Sequence, residues 1–367
     1  MSIKQVLYIA SYENVRFKGG IYTIANKVIE HSDFFYQSGV ELHFISSCQI
    51  ARDIKNVGKL SFDNIRNLKM LWLKVEEELR NNSIDLIYIN TSNSHAFLKD
   101  VWLCKQIKQK FGIKTLLHVH FSRVSQILPK PFLFRELTKF WLKHYVDSLV
   151  VLNNFTLSEF KAIQYNGTIE VIPNFFIEEE TRKQSNDGIL KLLYLGTIDK
   201  RKGFDKCLAI IKKLKDENVG VTLNVAGNWL NEKFKIQMLK EIEKLELQDE
   251  ITFHGFLEGE GKRRLVRESE CLLLLSKAEG MAMAMLECME AGLAIITSKS
   301  PENKEFFIDS SIQLYDIDTT EAICEQLMLY ANSKKLLSSI GFESKRIASD
   351  YTLNKFLNRS VKLMTSV

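Results

Sequence analysis

The chain has 367 residues, of which 46% are hydrophobic and 26% charged. That balance excludes a disordered or low-complexity polypeptide, and at roughly 100–200 residues per domain it predicts two domains. Only 4 prolines and 17 glycines exclude collagen-like or linker-rich design. The net charge of +5 is uneven: residues 1–175 carry 22 Lys+Arg against 15 Asp+Glu, the remainder 28 against 30. A basic first half suits an anionic partner such as phosphate, nucleic acid or a membrane surface, and equally suits a solvated lysine-rich surface.

The longest apolar runs, such as Cys271–Leu275, fall far below the ~18 residues needed to span a bilayer. The opening Val6-Leu7-Tyr8-Ile9 is too short for a signal-peptide core, so a cytoplasmic location is expected. The six cysteines are scattered without a Cys-x-x-Cys or Cys/His cluster, and they read as buried, reduced thiols.

In chain order, short β-branched runs alternate with helix-length amphipathic stretches. Strands are predicted near Val6–Ala10, Leu42–Ser46, Leu86–Asn90, Thr115–Val119, Leu149–Leu152 and Ile169–Ile172, with helices such as Phe62–Arg80 and Phe97–Lys110 between them. The polar stretch Ile177–Gly188 breaks the pattern and reads as a linker. A second series follows at Leu190–Leu195, Val221–Ala226, Ile251–His254, Leu272–Leu275, Ala294–Thr297 and Ile312–Tyr315. Strand–helix alternation predicts an α/β fold: two doubly wound, Rossmann-like domains with parallel sheets, binding a ligand in the cleft they face.

Two loops carry the chemistry. After the first strand, Lys18-Gly19-Gly20 precedes a helix; paired glycines allow close backbone approach to an anion, although an ordinary loop–helix junction reads the same way. The more specific stretch is Leu272–Ser298, LLLLSKAEGMAMAMLECMEAGLAIITS. A buried strand ends near Ser276, Glu279-Gly280 lies in the loop, and a helix starts near Met281–Met283 with Glu287 within about two turns. Free N–H groups of the first turn and two carboxylates then face one space, a diphosphate cradle beside acceptors for sugar hydroxyls. The Met281, Met283 and Met285 side chains read as core packing.

The Glu279-x7-Glu287 pattern resembles the signature of retaining GT-B glycosyltransferases, glycosyltransferase family 4 (group 1). Ala282 and Ala294 stand where that family often has proline, and Met281 where it often has phenylalanine. The resemblance continues through Leu193–Gly203, similar to the family's phosphate loop with Lys202 on its diphosphate-contacting lysine. Thr197 replaces the family arginine after Gly196, and Arg201 reads either as a substitute cation or as a solvated charge. Val171-Ile172-Pro173-Asn174 resembles the family's end of the first domain. Leu116–Phe121 resembles its strand–His element, where His120, just past the strand, is the expected sugar neighbour and His118 a packed histidine.

What the resemblance implies is as follows. Residues 1–176 form an acceptor-binding domain, 177–188 the linker, 189–350 the nucleotide-sugar domain, and 351–367 a helix returning to the first domain. A hexosyl group passes with retention from a UDP- or GDP-linked sugar to a glycan or lipid-linked acceptor hydroxyl, in bacterial capsule, O-antigen or exopolysaccharide assembly. Lys202, Glu279 and His120 are the catalytic set. Gly19, Gly20, Gly196, Arg201, Lys202, Glu279, Gly280, Met281, Met283, Ala284 and Glu287 bind the donor, with Glu287 on the ribose and Glu279 on the sugar. The resemblance implies neither a metal nor a cofactor.

The segment Pro129–Tyr145 places Arg135, Lys139 and Lys143 on one helix face beside Phe132, Phe134, Phe140 and Trp141. It suits an anionic membrane surface, and equally a domain helix with its apolar side in the core. The rival readings are a nucleotide-sugar epimerase, a phosphorylase or a non-catalytic scaffold on the same fold. A nucleic-acid-binding protein is disfavoured because no such module is visible.

Overall fold

The structure, a computed structural model, describes residues 3–13, 19–49, 62–177, 181 and 188–367. The chain divides into two compact units, Met1–Asn174 with Asn354–Val367, and Phe175–Leu353. The stretch 177–188 read as the linker lies almost wholly outside the described residues, as does Lys18.

The first unit holds β1 (Lys4–Ala10), β2 (Val40–Ser46), β3 (Leu86–Thr91), β4 (Lys114–Val119), β5 (Ser148–Val151) and β6 (Thr168–Val171). They form one all-parallel sheet in the order β2-β1-β3-β4-β5-β6. Every residue of β3 is buried, as expected of a strand covered on both faces by crossover helices. The helix Phe62–Asn81 presents Leu71, Val75 and Leu79, four residues apart, to a core that also contains Ile87, Val101 and Leu117. The last helix, Leu353–Ser366, buries Phe356, Leu357, Ser360, Leu363 and Met364. Its Phe356 ring stacks 6.3 Å from the His118 ring, within the first unit.

The second unit holds β7 (Leu190–Leu195), β8 (Val221–Ala226), β9 (Ile251–Gly255), β10 (Cys271–Leu274), β11 (Ala294–Ser298) and β12 (Leu314–Tyr315). The order β12-β11-β10-β7-β8-β9, again all parallel, is the doubly wound arrangement in which strand order reverses between β7 and β10. Those two strands pair only through Cys271 with Leu192 and Leu272 with Leu193, so the loops beyond their carboxyl ends separate. An open α/β sheet binds ligands at such a switch point.

One sequence expectation needs adjustment. The strand expected over Ile312–Tyr315 is only Leu314–Tyr315, because Ile312 turns into the apolar core beside Phe307 and Leu286. The helix expected to start near Met281–Met283 begins at Met283; the Ala282 carbonyl accepts the N–H groups of Met285 and Leu286 at 3.0 and 3.2 Å, leaving Met281 in the loop. All six cysteines are buried and outside any disulfide, as their scatter implied.

Candidate active site

The switch point of the second sheet brings together the loops after β7 and β10. The first loop runs from Gly196 to Gly203 and is fixed along its length. Tyr194 Oη donates to the Thr197 carbonyl at 2.8 Å, Ile198 N–H bonds the Asn228 carbonyl at 2.9 Å, and the buried Asp199 carboxylate accepts the Lys202 N–H at 2.7 Å. Lys277 N–H bonds the Arg201 carbonyl at 2.9 Å, which ties this loop to the one after β10. Gly196, at φ +141, has nothing within 4 Å of where a Cβ would stand.

Their side chains converge. Lys202 Nζ donates to Glu279 Oε1 in a close ion pair, with both side chains about one-sixth exposed. Arg201 reaches the same oxygen at 4.0 Å, lies 3.8 Å from Asp199, and donates to the Ala278 carbonyl at 3.4 Å. Arg201 thus stays partly exposed while lying near both carboxylates. Two cations face two carboxylates, and a diphosphate entering here competes with Glu279 for Lys202. Gly280 and Met281 complete the loop. Met283 and Met285 are buried and Ala284 half-buried in the first turn of the helix Met283–Glu290, whose leading N–H groups have no intrahelical acceptor.

Glu287, the fifth residue of that helix, is buried. Its Oε1 accepts from Lys262 Nζ at 2.8 Å. Burial pushes the Glu287 carboxyl up from its ordinary range and Lys262 opposes the shift. Sequence reasoning missed Lys262: it stands in Gly259–Glu268, GEGKRRLVRE, where a lysine among so many charges carries no signal of its own.

In the first unit, order reverses between β1 and β3. His120 lies just past β4, and its Nε2 bonds Asn90 Oδ1, at the end of β3, at 2.8 Å. His118 is fully buried and its Nδ1 meets Tyr88 Oη at 2.8 Å. The two imidazoles lie 4.1 Å apart, centroid to centroid. Burial holds His118 well below its ordinary pKa and His120 down to about 3, so both are neutral near pH 7. His120 can then exchange hydrogen bonds but offers no charge. Its Nδ1 has no hydrogen-bond partner among the described residues. Gly19 is the extended N-cap of the helix Gly20–Glu30, with Thr23 N–H on its carbonyl at 3.0 Å.

The basic segment forms the helix Phe132–Tyr145. Phe132, Leu133 and Phe140 are exposed at 69%, 75% and 51%, whereas Leu142 and Thr138 face the core. Arg135 and Lys139 both pair with Glu136. Among the described residues no helix is long and apolar enough to cross a membrane.

Residues 176–345 match the family model described as glycosyl transferases group 1. That span contains Gly196, Lys202, Glu279 and Glu287. The O-antigen biosynthesis glycosyltransferase WclY of Escherichia coli is 27% identical over 315 residues, 80% of this chain and 84% of that protein. Among solved structures, sucrose-phosphate synthase from Thermosynechococcus elongatus superimposes with a TM-score of 0.77 at 13% identity, covering 99% of this chain and 98% of that one. HepE from Anabaena in complex with UDP and glucose gives 0.72 at 13%, covering 99% and 100%. The structural neighbours show the fold, which is GT-B, and the second unit carries the match to the group 1 glycosyltransferase model.

Proposed function

We propose that the chain is a retaining, metal-independent glycosyltransferase that moves a hexosyl group from a nucleotide diphosphate sugar to an acceptor hydroxyl in bacterial surface-polysaccharide assembly. The observation that carries this is the convergence of Lys202, Arg201 and Glu279 at the switch point, with the buried Glu287 in the helix that follows, inside the span that matches the family model. Charge grows on the diphosphate as the glycosidic bond breaks. Lys202, Arg201 and the N–H groups of Met283 and Ala284 are placed to stabilise it. Glu279 holds the sugar hydroxyls and Glu287 the ribose. In the first unit His120 is assigned to the transferred sugar and Gly19-Gly20 to the phosphates. Among the described residues no side chain here is a built covalent nucleophile, which favours same-face, ion-pair-like displacement with retention.

UDP in the HepE complex makes it the first nucleotide to test, with GDP second. Either should raise the melting temperature, whereas stabilisation by RNA alone would favour a nucleic-acid protein and no shift by any of them a scaffold. A panel of sugar donors read by mass spectrometry then identifies the transferred group. If Glu287 holds ribose, Glu287→Ala should weaken binding of the free nucleotide by about 1.5–3 kcal/mol in calorimetry; unchanged affinity removes that assignment.

The acceptor is proposed to be lipid-linked and met at an anionic membrane surface. The exposed Phe132, Leu133 and Phe140 share one helix with Arg135, Lys139 and Lys143, a composition suited to anionic headgroups. Binding to anionic vesicles should fall as salt rises and fall further when the three cations are neutralised together. Equal partition onto neutral and anionic vesicles would count against the membrane reading.

A further inference from the structure

We propose that Lys262 is a positioning residue for nucleotide binding: it engages Glu287 Oε1 and so keeps that carboxylate ionised, with its second oxygen turned to the ribose diol. The inference rests on the reading of Glu287 as the ribose acceptor. It is drawn from geometry. Lys262 is in the first turn of the helix Gly259–Glu268, which leaves the carboxyl end of β9, while Glu287 is in the helix that leaves the switch-point loop after β10. Both helices pack on one apolar cluster, through Leu265 and Val266 on one side and Met285, Leu286 and Met289 on the other. That shared packing sets the 2.8 Å contact between Nζ and Oε1.

A buried acid without a cation takes up a proton, because desolvation penalises the charged form. A protonated Glu287 keeps one acceptor oxygen but loses the negative charge that makes its bonds to vicinal hydroxyls strong. Among the described residues Lys262 is the charged group acting on Glu287. A lysine two-tenths exposed beside a glutamate that is nearly closed off has the chain length to follow a ribose as it enters. This role is separate from that of Lys202, which faces Glu279 and the diphosphate.

The test uses Lys262→Met, Lys262→Arg and Glu287→Gln in the full chain, with UDP and GDP as probes. Lys262→Met should lower nucleotide affinity about tenfold at acidic pH, with recovery as pH rises, while the wild type stays flat over the same range. Lys262→Arg should restore both the affinity and the flat profile. A second arm needs no ligand. Glu287 has its folded pKa raised above its unfolded value, so its contribution to stability is present at low pH and lost as pH rises. Lys262→Met should steepen that loss, and adding Glu287→Gln should abolish it. Lys262→Met with wild-type affinity and a parallel pH profile overturns the positioning role. An unsteepened stability profile overturns the ion-pair role even if neither nucleotide binds, a result that would separately end the ribose reading of Glu287.

Discussion

Lys202→Ala should lower kcat by roughly 10²–10³, the scale of losing one preorganised electrostatic donor, while KM for the donor changes far less. A cation aimed at a departing diphosphate acts most strongly where negative charge is greatest, in the transition state. In the free protein Lys202 is paired with Glu279, and its backbone is fixed through Asp199. Little reorganisation is therefore needed when the diphosphate replaces the carboxylate. The same pairing has a second consequence. Among the described residues, removing Lys202 leaves Glu279 with Arg201 at 4.0 Å as its remaining cation, so part of the lost activity should appear as weaker sugar orientation. Lys202→Arg should recover more activity than Lys202→Ala but fall short of wild type, since a guanidinium cannot occupy the point-charge position of an ammonium. Full turnover by Lys202→Ala would remove the phosphate-loop assignment and most of the mechanism with it.

Arg201 divides two possibilities that its sequence position left open. Its guanidinium is 42% exposed yet lies within 4.0 Å of both Asp199 and Glu279. If it replaces the cation absent at Thr197, Arg201→Ala should reduce kcat on the scale of Lys202→Ala; if it is a surface charge, the change should stay near ~0.5 kcal/mol. Thr197→Arg should raise turnover in the first case's Ala background, where the site is short of a cation.

The strands were legible because their apolar runs are buried on both faces, so burial and β-branched composition agree; Leu190–Leu195 and Val221–Ala226 have the same bounds in sequence and structure. The placement of Glu279 in the loop after β10 and of Glu287 in the following helix was legible from spacing along the chain, whereas Lys202 was singled out by the family resemblance alone. Lys262 was not. It reaches Glu287 across 25 positions of sequence, between two helices whose relative placement is set by the packing of Leu265 against its neighbours rather than by any local pattern. The edge strand β12 was over-read for the opposite reason. Ile312 has the composition of a strand, but its side chain is used in the core beneath the edge. The neutral state of His120 also lies beyond sequence, because it follows from burial beside His118, Asn90 and β3.

Gly203→Ala should unfold the second unit's active-site corner, at a cost of about 2–4 kcal/mol in urea denaturation. Gly203 is the N-cap of the helix Phe204–Asp216, at φ +77. A Cβ there would stand 2.3 Å from the Leu275 carbonyl oxygen, at the end of β10. Leu275 is fully buried and its backbone leads into the loop that carries Glu279. Neither partner can withdraw by a side-chain rotation, so the phosphate loop must lift away from β10. That movement takes Lys202 off Glu279 and breaks the tie between Lys277 N–H and the Arg201 carbonyl. Gly112→Ala separates strain from overlap. Gly112 has φ +71 but nothing within 4 Å of its would-be Cβ, so it should cost only about 1 kcal/mol. The excess at Gly203 is then the collision with β10. Nucleotide-induced stabilisation should survive Gly112→Ala and be largely lost in Gly203→Ala. Equal costs for the two substitutions would mean that the glycine after Lys202 serves only its own backbone angle, and that contact with β10 does not hold the lysine in place.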